Sequence, residues 1–591
     1  MLNNVDEIEL SKQVAKGDAK FALASTPGNP FLPATVLASG DNFEFWIDEN
    51  PVSTTSIEQS LNELHLKASR KELGRSPENA YLLNNLGLSL LNSGRTEEAI
   101  SHFQQALAAN QSFTAAKLNL AHAYLTSERL DAALGIYKEL EGSYANSDVV
   151  RANIPEILLR RSVNPDSNAS RRNLEEAKQH LLAIENRTAP SDNTLGLIHS
   201  LLGDGRQAVN HFRRALTEDP RSSVYHLNLA AWHSRSKNYK KAIVHFRAGL
   251  VLDPKNKSAV KNLANCYIEL GNYINAEEIL REYRDNSSDD IEYLTLMALA
   301  AYYRYRFKAS LGYLSHALDL AKSREIPTQE LALIYNNIGC AYDGLGELTK
   351  AAEYFHKSIN LPTPQAEAFL NLTYQRLSAN APVEAAELMK QFEQTFPNEK
   401  RLPYLKARYH FHIGDYEECL QYLKQALEKQ PRAHEVYATA SYVYFEIRGE
   451  YAKAIELVKQ GLRYNPSNLI LVNNLAYYYI MMGELERGRQ VLDQISGPDA
   501  SENPYLIATR GLLHIKDGNL REAERFYGIA FSKVNKEIRN QMRQKYFLEL
   551  GRYWLSQNKP ELADRHLRQA TAIESVCQLY AQQAASLLRR N

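Results

Sequence analysis

Apolar residues recur along this chain at helical spacing, in stripes about a dozen residues long. The segment Ser223 to Asn256 shows the pattern clearly. Leu227, Ala230, Ala231 and Ser234 fall on one side of a helix, with Tyr225, Leu229 and Trp232 beside them. The stripe breaks at Lys237-Asn238 and resumes at Ala242, Phe246, Gly249 and Leu250, which predicts a second helix. Asp253-Pro254 ends it, because proline lacks the helix amide and disfavours the helical region for the residue before it. Two short helices joined by a tight turn cannot bury both stripes alone. The pair must stack on another pair.

The same unit returns. Leu195-Gly196, Leu229-Ala230 and Leu263-Ala264 stand 34 residues apart, as do Ala208, Ala242 and Ala276, and Phe212, Phe246 and Leu280. Pro220 and Pro254 keep that interval, and registers that agree in phase mark a repeat. Fourteen residues after the repeat starts stand Gly94, Gly203, Gly271, Gly346, Gly414, Gly483 and Gly518, with Asn380 and Asn558 in the same slot. A helix followed closely by another commonly ends in a left-handed residue, which glycine, and less readily asparagine, adopts at low cost. The small Ala of the second helix predicts a close helix crossing.

Leu-Gly/Ala in the first helix, Ala and Phe/Tyr in the second, and a closing Pro resemble the tetratricopeptide repeat, over roughly Pro77 to Ile573. The resemblance implies an all-α fold. It would be an α-solenoid, a right-handed superhelix of stacked antiparallel helix pairs, with about 13–14 repeats.

Four segments are expected. Residues 1–76 lie outside the period and read as an N-terminal arm with a lead-in helix. Within the arm, Phe43, Phe45 and Trp46 sit in an alternating stretch and form a candidate docking segment, for a partner or for the protein's own groove. Residues 77–323 read as an N-terminal array with a degenerate repeat over about 148–188, where Ile154 to Arg161 and Leu174 to Ile184 predict two helices around a polar loop. Eight extra residues, among them Glu325 to Thr328, set off a C-terminal array over 324–574. A one-residue insertion falls at Arg448 to Glu450, and residues 575–591 read as a capping helix for the open end.

Composition narrows the function. Acidic and basic residues balance at 69 each, whereas nucleic-acid and membrane-surface proteins usually carry a basic excess. Cys266, Cys340, Cys419 and Cys577 lie far apart with no CxxC pair, so neither a disulfide framework nor a zinc site is indicated. No run approaches the roughly 18 apolar residues that span a bilayer. The start, Met1 to Leu10, has neither a basic segment nor an apolar core, and a cytoplasmic location is expected.

No phosphate-binding glycine loop, GxSxG elbow or HExxH helix occurs. His199, His233, His410 and His514 share one slot of the first helix, which predicts packing residues rather than a metal site. No catalytic residue, cofactor or metal is expected. With repeats reaching almost to the C-terminus, any enzyme would be a separate polypeptide.

The polar signal that stands out is asparagine. Asn85, Asn119, Asn228, Asn262, Asn337, Asn371 and Asn474 each precede the Leu-Gly/Ala pair or its equivalent, a slot near the inner wall of a stack. A primary amide both donates and accepts, which suits an extended peptide backbone, and local bonds between helices are the competing use. The array resembles the asparagine ladder in the repeats of O-linked N-acetylglucosamine transferases. Lys261 and Asn265 resemble the opening of a chaperone-tail carboxylate clamp, but Thr295, Tyr335 and Gly339 leave it incomplete. A second candidate patch is Tyr303, Arg304, Tyr305 and Arg306, since Tyr and Arg are favoured at binding hot spots.

The expected function is a non-enzymatic scaffold or adaptor that holds a peptide segment or helix of a partner protein in its concave groove. The alternatives are a regulatory or substrate-recruiting subunit of a separate enzyme and, less favoured, helical-repeat RNA binding.

Overall fold

The structure is a computed structural model. It describes residues 70–590 except 72, 74–76, 144–147, 163–166, 186, 283–289, 325, 380, 465, 467, 496–500 and 576–578. Phe43, Phe45 and Trp46, and most of the expected N-terminal arm, lie outside the described residues. The described chain is all-α, a solenoid of helix pairs with no strand among the described residues. It divides into two compact units, one ending at Pro254 and the other starting at Lys255.

The first unit stacks α1 (Ala80–Asn92) on α2 (Thr96–Ala109), α3 (Thr114–Thr126) on α4 (Leu130–Ser143), α5 (Asp148–Arg160) on α6 (Asn168–Leu182), α7 (Ala189–Leu201) on α8 (Gly205–Glu218), and α9 (Ser223–Arg235) on α10 (Tyr239–Leu252). The second continues with α11 (Lys257–Glu269), α12 (Tyr273–Glu282), α13 (Ile291–Tyr303), α14 (Phe307–Ser323), α15 (Thr328–Leu345), α16 (Leu348–Ile359), α17 (Ala366–Ser378), α18 (Pro382–Thr395), α19 (Leu402–Ile413) and α20 (Tyr416–Lys429). It closes with α21 (His434–Tyr442), α22 (Tyr451–Tyr464), α23 (Leu469–Met481), α24 (Leu485–Asp493), α25 (Pro504–Lys516), α26 (Leu520–Ser532), α27 (Lys536–Ser556), α28 (Pro560–Ala572) and α29 (Leu579–Arg590). The extra residues near 325 fall inside this unit, between α14 and α15, which pack directly on each other.

The repeat signature has a steric cause. A Cβ built at Gly196 would lie 2.5 Å from the Phe212 ring, so the first helix's missing side chain is the space that the second helix's ring fills. Gly339 and Phe355 repeat the arrangement. Phe212 and Phe355 are fully buried, and each contributes about 1.5–3 kcal/mol by leaving water. The turn slot is left-handed as expected at Gly203 and Gly414, with φ of 85° and 82°. Glu128, Lys237, Tyr305 and Asn558 adopt the same conformation at φ of 58°, 57°, 59° and 54°. The repeat imposes the turn; glycine only eases it.

Two local expectations shift. The helix expected from Ile154 begins at Asp148 and runs through Pro155, which gives up one backbone bond inside α5. The inserted residue near 448 is taken up as a π-helical turn over Val443–Ile447, where the Arg448 amide bonds the Val443 carbonyl at 3.1 Å. Such turns absorb a single extra residue without ending the helix. At the far end Ala584 of α29 is buried with Leu548 and Leu567, covering the last pair.

Candidate partner-binding face

The first helix of each pair carries the polar slot singled out by sequence. Asn119 donates to the Asn84 side chain at 2.9 Å, Asn228 to Asn193 at 3.0 Å, and Asn371 to Asn336 at 2.9 Å. Each bond joins one first helix to the preceding first helix across 35 residues. Asn228 and Asn371 are buried, so these amides clasp the stack. Asn337 is buried and accepts from Asn336 at 3.1 Å, while Asn262 is half-buried and bonds the Ser258 carbonyl of its own helix at 3.0 Å. Asn474 is half-buried and Asn85 exposed. The partner amides Asn84, Asn193 and Asn336 were not among the expected site residues. The doublets Asn84-Asn85, Asn336-Asn337 and Asn473-Asn474 are the signal for them, and Asn473 likewise accepts from Thr509 at 2.8 Å.

The histidine slot is also structural. His199 stacks on His211 at 5.3 Å, His410 on Tyr422 at 5.3 Å and His514 on Phe526 at 5.3 Å, each ring lying twelve residues on in the paired second helix. His233 and His245 follow the same rule at 5.9 Å. Burial, reinforced by neighbouring cations, lowers the pKa of His233 to about 4 and of His245 to about 3, so both are neutral. Among the described residues no group of three or more His, Cys, Asp or Glu is placed to hold a metal ion, and no helix is long and apolar enough to cross a membrane.

Tyr302 to Arg306 form an internal corner of the second unit. Tyr302 is buried, and Tyr303 stacks on Tyr273 with ring centroids 4.6 Å apart. Arg304 bonds Glu277 and reaches both oxygens of Glu502, 198 residues away, at 2.9 and 3.0 Å. Arg306 also bonds the buried Glu277. Asn535 repeats the long reach by donating to the Asp343 carbonyl at 3.4 Å. The unit thus curls until repeats far apart in sequence touch, and Arg304 is engaged in that contact.

Toward the C-terminal end the same wall turns ionic. Glu549, in the asparagine slot, is buried between Lys516 of α25 at 2.7 Å and Arg552 at 2.6 Å. Lys545 lies 3.7 Å from the Tyr477 ring centroid, and the Tyr477 hydroxyl donates to Glu446 at 2.5 Å. Burial lowers the Lys545 pKa.

Tetratricopeptide-repeat family models match residues 84–148, 233–300, 332–362, 403–432 and 447–513. No curated protein matches the chain. Among solved structures, similarity extends to the APC/C hetero-tetramer Cut9–Hcn1, at 14% identity over 86% of this chain and 95% of that one, with a TM-score of 0.48. A thermophilic repeat protein of Thermus thermophilus is 22% identical over 32% of this chain and 99% of its own, with a TM-score of 0.29. One from Parabacteroides merdae is 18% identical over 44% of this chain and 99% of its own, with a TM-score of 0.36.

Proposed function

Because this chain is a tetratricopeptide-repeat protein, a class of interaction scaffolds, we propose that it is a non-enzymatic adaptor that lays a segment of a partner protein along its first helices. One observation carries the reading: the slot ahead of the Leu-Gly/Ala pair recurs on successive first helices, clasping the preceding first helix at Asn119, Asn228 and Asn371 but accessible and outside those clasps at Asn85, Asn262 and Asn474. Slot residues outside the clasps offer polar contacts at intervals along the first helices. An extended or helical segment repeats its own contacts at short, regular intervals, so several weak bonds of about 0.5–1.5 kcal/mol each add up along it. Asn85, Asn262 and Asn474, which do not form the inter-helix amide pairs, are the groove positions proposed for contact. Formal neutrality favours a protein segment over RNA.

Photo-crosslinking tests this. A crosslinking residue is placed at Asn262 or Asn474 on first helices and, as the contrast, at the exposed Glu456 on second helix α22. Partner crosslinks from the first two positions and not from the third are expected. Crosslinks confined to Glu456 would move the binding face to the second helices.

A further inference from the structure

Several cations on or beside the first helices of the second unit sit against carboxylates, while Lys545 lies over the Tyr477 ring. Lys261 meets Asp290 and Glu292 at 3.1 and 2.5 Å, Arg401 meets Glu367 and Glu399 at 2.6 and 2.9 Å, and Lys516 and Arg552 share Glu549. Arg408 of α19 departs from this. Among the described residues no carboxylate lies within ion-pair distance of it. Its guanidinium lies over the Tyr374 ring of α17, 5.4 Å from the centroid, and beside the Tyr404 hydroxyl one turn back. Nε is sealed from solvent with no acceptor, while the side chain as a whole is only half-buried. The donors left over are the terminal nitrogens, the end of the guanidinium fork that binds a carboxylate with two parallel bonds.

The surroundings hold that charge in place. Tyr404 bonds Thr439 of α21 at 3.0 Å, which pins one flank. His412, one turn on, is exposed at its surface yet neutral, its pKa lowered to about 4 by desolvation and then by Arg408 itself. Glu435 of α21 acts on Tyr404 and Tyr374 but forms its close contact with His434, at 3.4 Å. A guanidinium seated on a ring, with no acid among the described residues within ion-pair distance, is suited to meet an acid from a bound segment.

We propose that Arg408 anchors an Asp or Glu side chain of the bound partner segment, with the Tyr374 ring behind it and the Tyr404–Thr439 hydroxyl pair beside it. This rests on the first helices being the binding face, as proposed above. An internal side chain is favoured over a chain terminus because a terminal carboxylate clamp needs several donors. The neighbouring Arg401 and Asn371 are already engaged by Glu367 and Asn336.

The probe is a phage library of short random peptides fused through their C-termini, selected against the full chain and against Arg408→Gln and Arg408→Glu. Thermal melting confirms that both variants fold. The wild type is expected to enrich Asp or Glu at one fixed peptide position, and Arg408→Glu to enrich Lys or Arg there. Replacing that acid by its amide in a synthetic peptide should weaken binding on the order of tenfold to a hundredfold. The same acid enriched by wild type and Arg408→Glu alike would overturn the proposal and leave the first-helix face standing. A second library with free C-termini, if it alone yields binders, overturns it in favour of a chain terminus. Selected peptides that crosslink only to second helices, or no enrichment at all, would count against both readings.

Discussion

The slot ahead of the Leu-Gly/Ala pair is filled in two ways within the second unit. At Asn371 a neutral amide, fully buried, donates to Asn336 of the preceding first helix at 2.9 Å. At Glu549, ahead of Leu550-Gly551, a carboxylate equally buried takes Lys516 of the preceding first helix and Arg552 of its own. At these two joints a polar group bridges neighbouring first helices, and the two groups differ in chemistry. The chemistry decides how the joint fails. An amide pair loses one neutral bond, whereas an ion triad that loses its buried centre leaves two half-buried cations without their shared acid.

The largest effect should therefore come from Glu549→Ala. A loss of about 2–3 kcal/mol is expected, less than for a fully buried pair because Lys516 and Arg552 keep part of their hydration. Urea denaturation of the full chain, with hydrogen exchange read in α25 to α28, measures it. Unchanged exchange there would show that the triad contributes nothing to the joint.

Acidification separates the two clasps next. Burial raises the Glu549 pKa, but Lys516 and Arg552 outweigh it and hold the carboxyl below its ordinary 4.5. Its stabilisation is complete above pH 4.5 and disappears as pH falls through the lower folded value; the Asn371 clasp has no such dependence. In the first unit the histidines respond earlier. His233 and His245 stay neutral down to about 4 and about 3, while their unfolded forms take up protons from 6.5 downward. Stability of that unit therefore falls below pH 6.5, and exchange in α9 and α10 should rise before exchange in α27 does.

The amide clasp is tested by Asn371→Ala. Leaving the fully buried Asn336 short of its donor should cost about 1–3 kcal/mol in the same denaturation experiment. The smallest change is expected from Asn262→Ala, whose amide bonds only its own helix; its effect should stay within about 0.5 kcal/mol. Equal losses at the two positions would erase the distinction between clasping and wall-facing asparagines.

Much of this was legible in sequence because it is local. The Leu-Gly…Phe signature, the turn slot and the helix pairs depend on contacts within one repeat or between neighbours. The asparagine slot was legible as a position but not as a partner. For Asn119 and Asn228 the slot left groove contact and bonds between helices both open, and the residues that receive their bonds, Asn84 and Asn193, lie one position off the repeat register. Tyr303 to Arg306 read in sequence as either core or a binding patch, and their contacts with Tyr273 and Glu277 of the preceding pair are within reach of a local reading. The second partner of Arg304, Glu502, lies 198 residues on, too far for any periodic pattern to announce.

By itself, then, the sequence determined the repeating unit: a 34-residue period with a small residue opposite a ring leaves a paired helix as the way to bury both stripes. Only the tertiary structure decided which distant repeats meet and which charges find partners. Each repeat adds a small rotation, and the sum over many repeats places Arg304 against Glu502 while, among the described residues, Arg408 meets a ring and no acid. A rotation accumulated over the stack is a property of the packing as a whole, and no short stretch of residues encodes it.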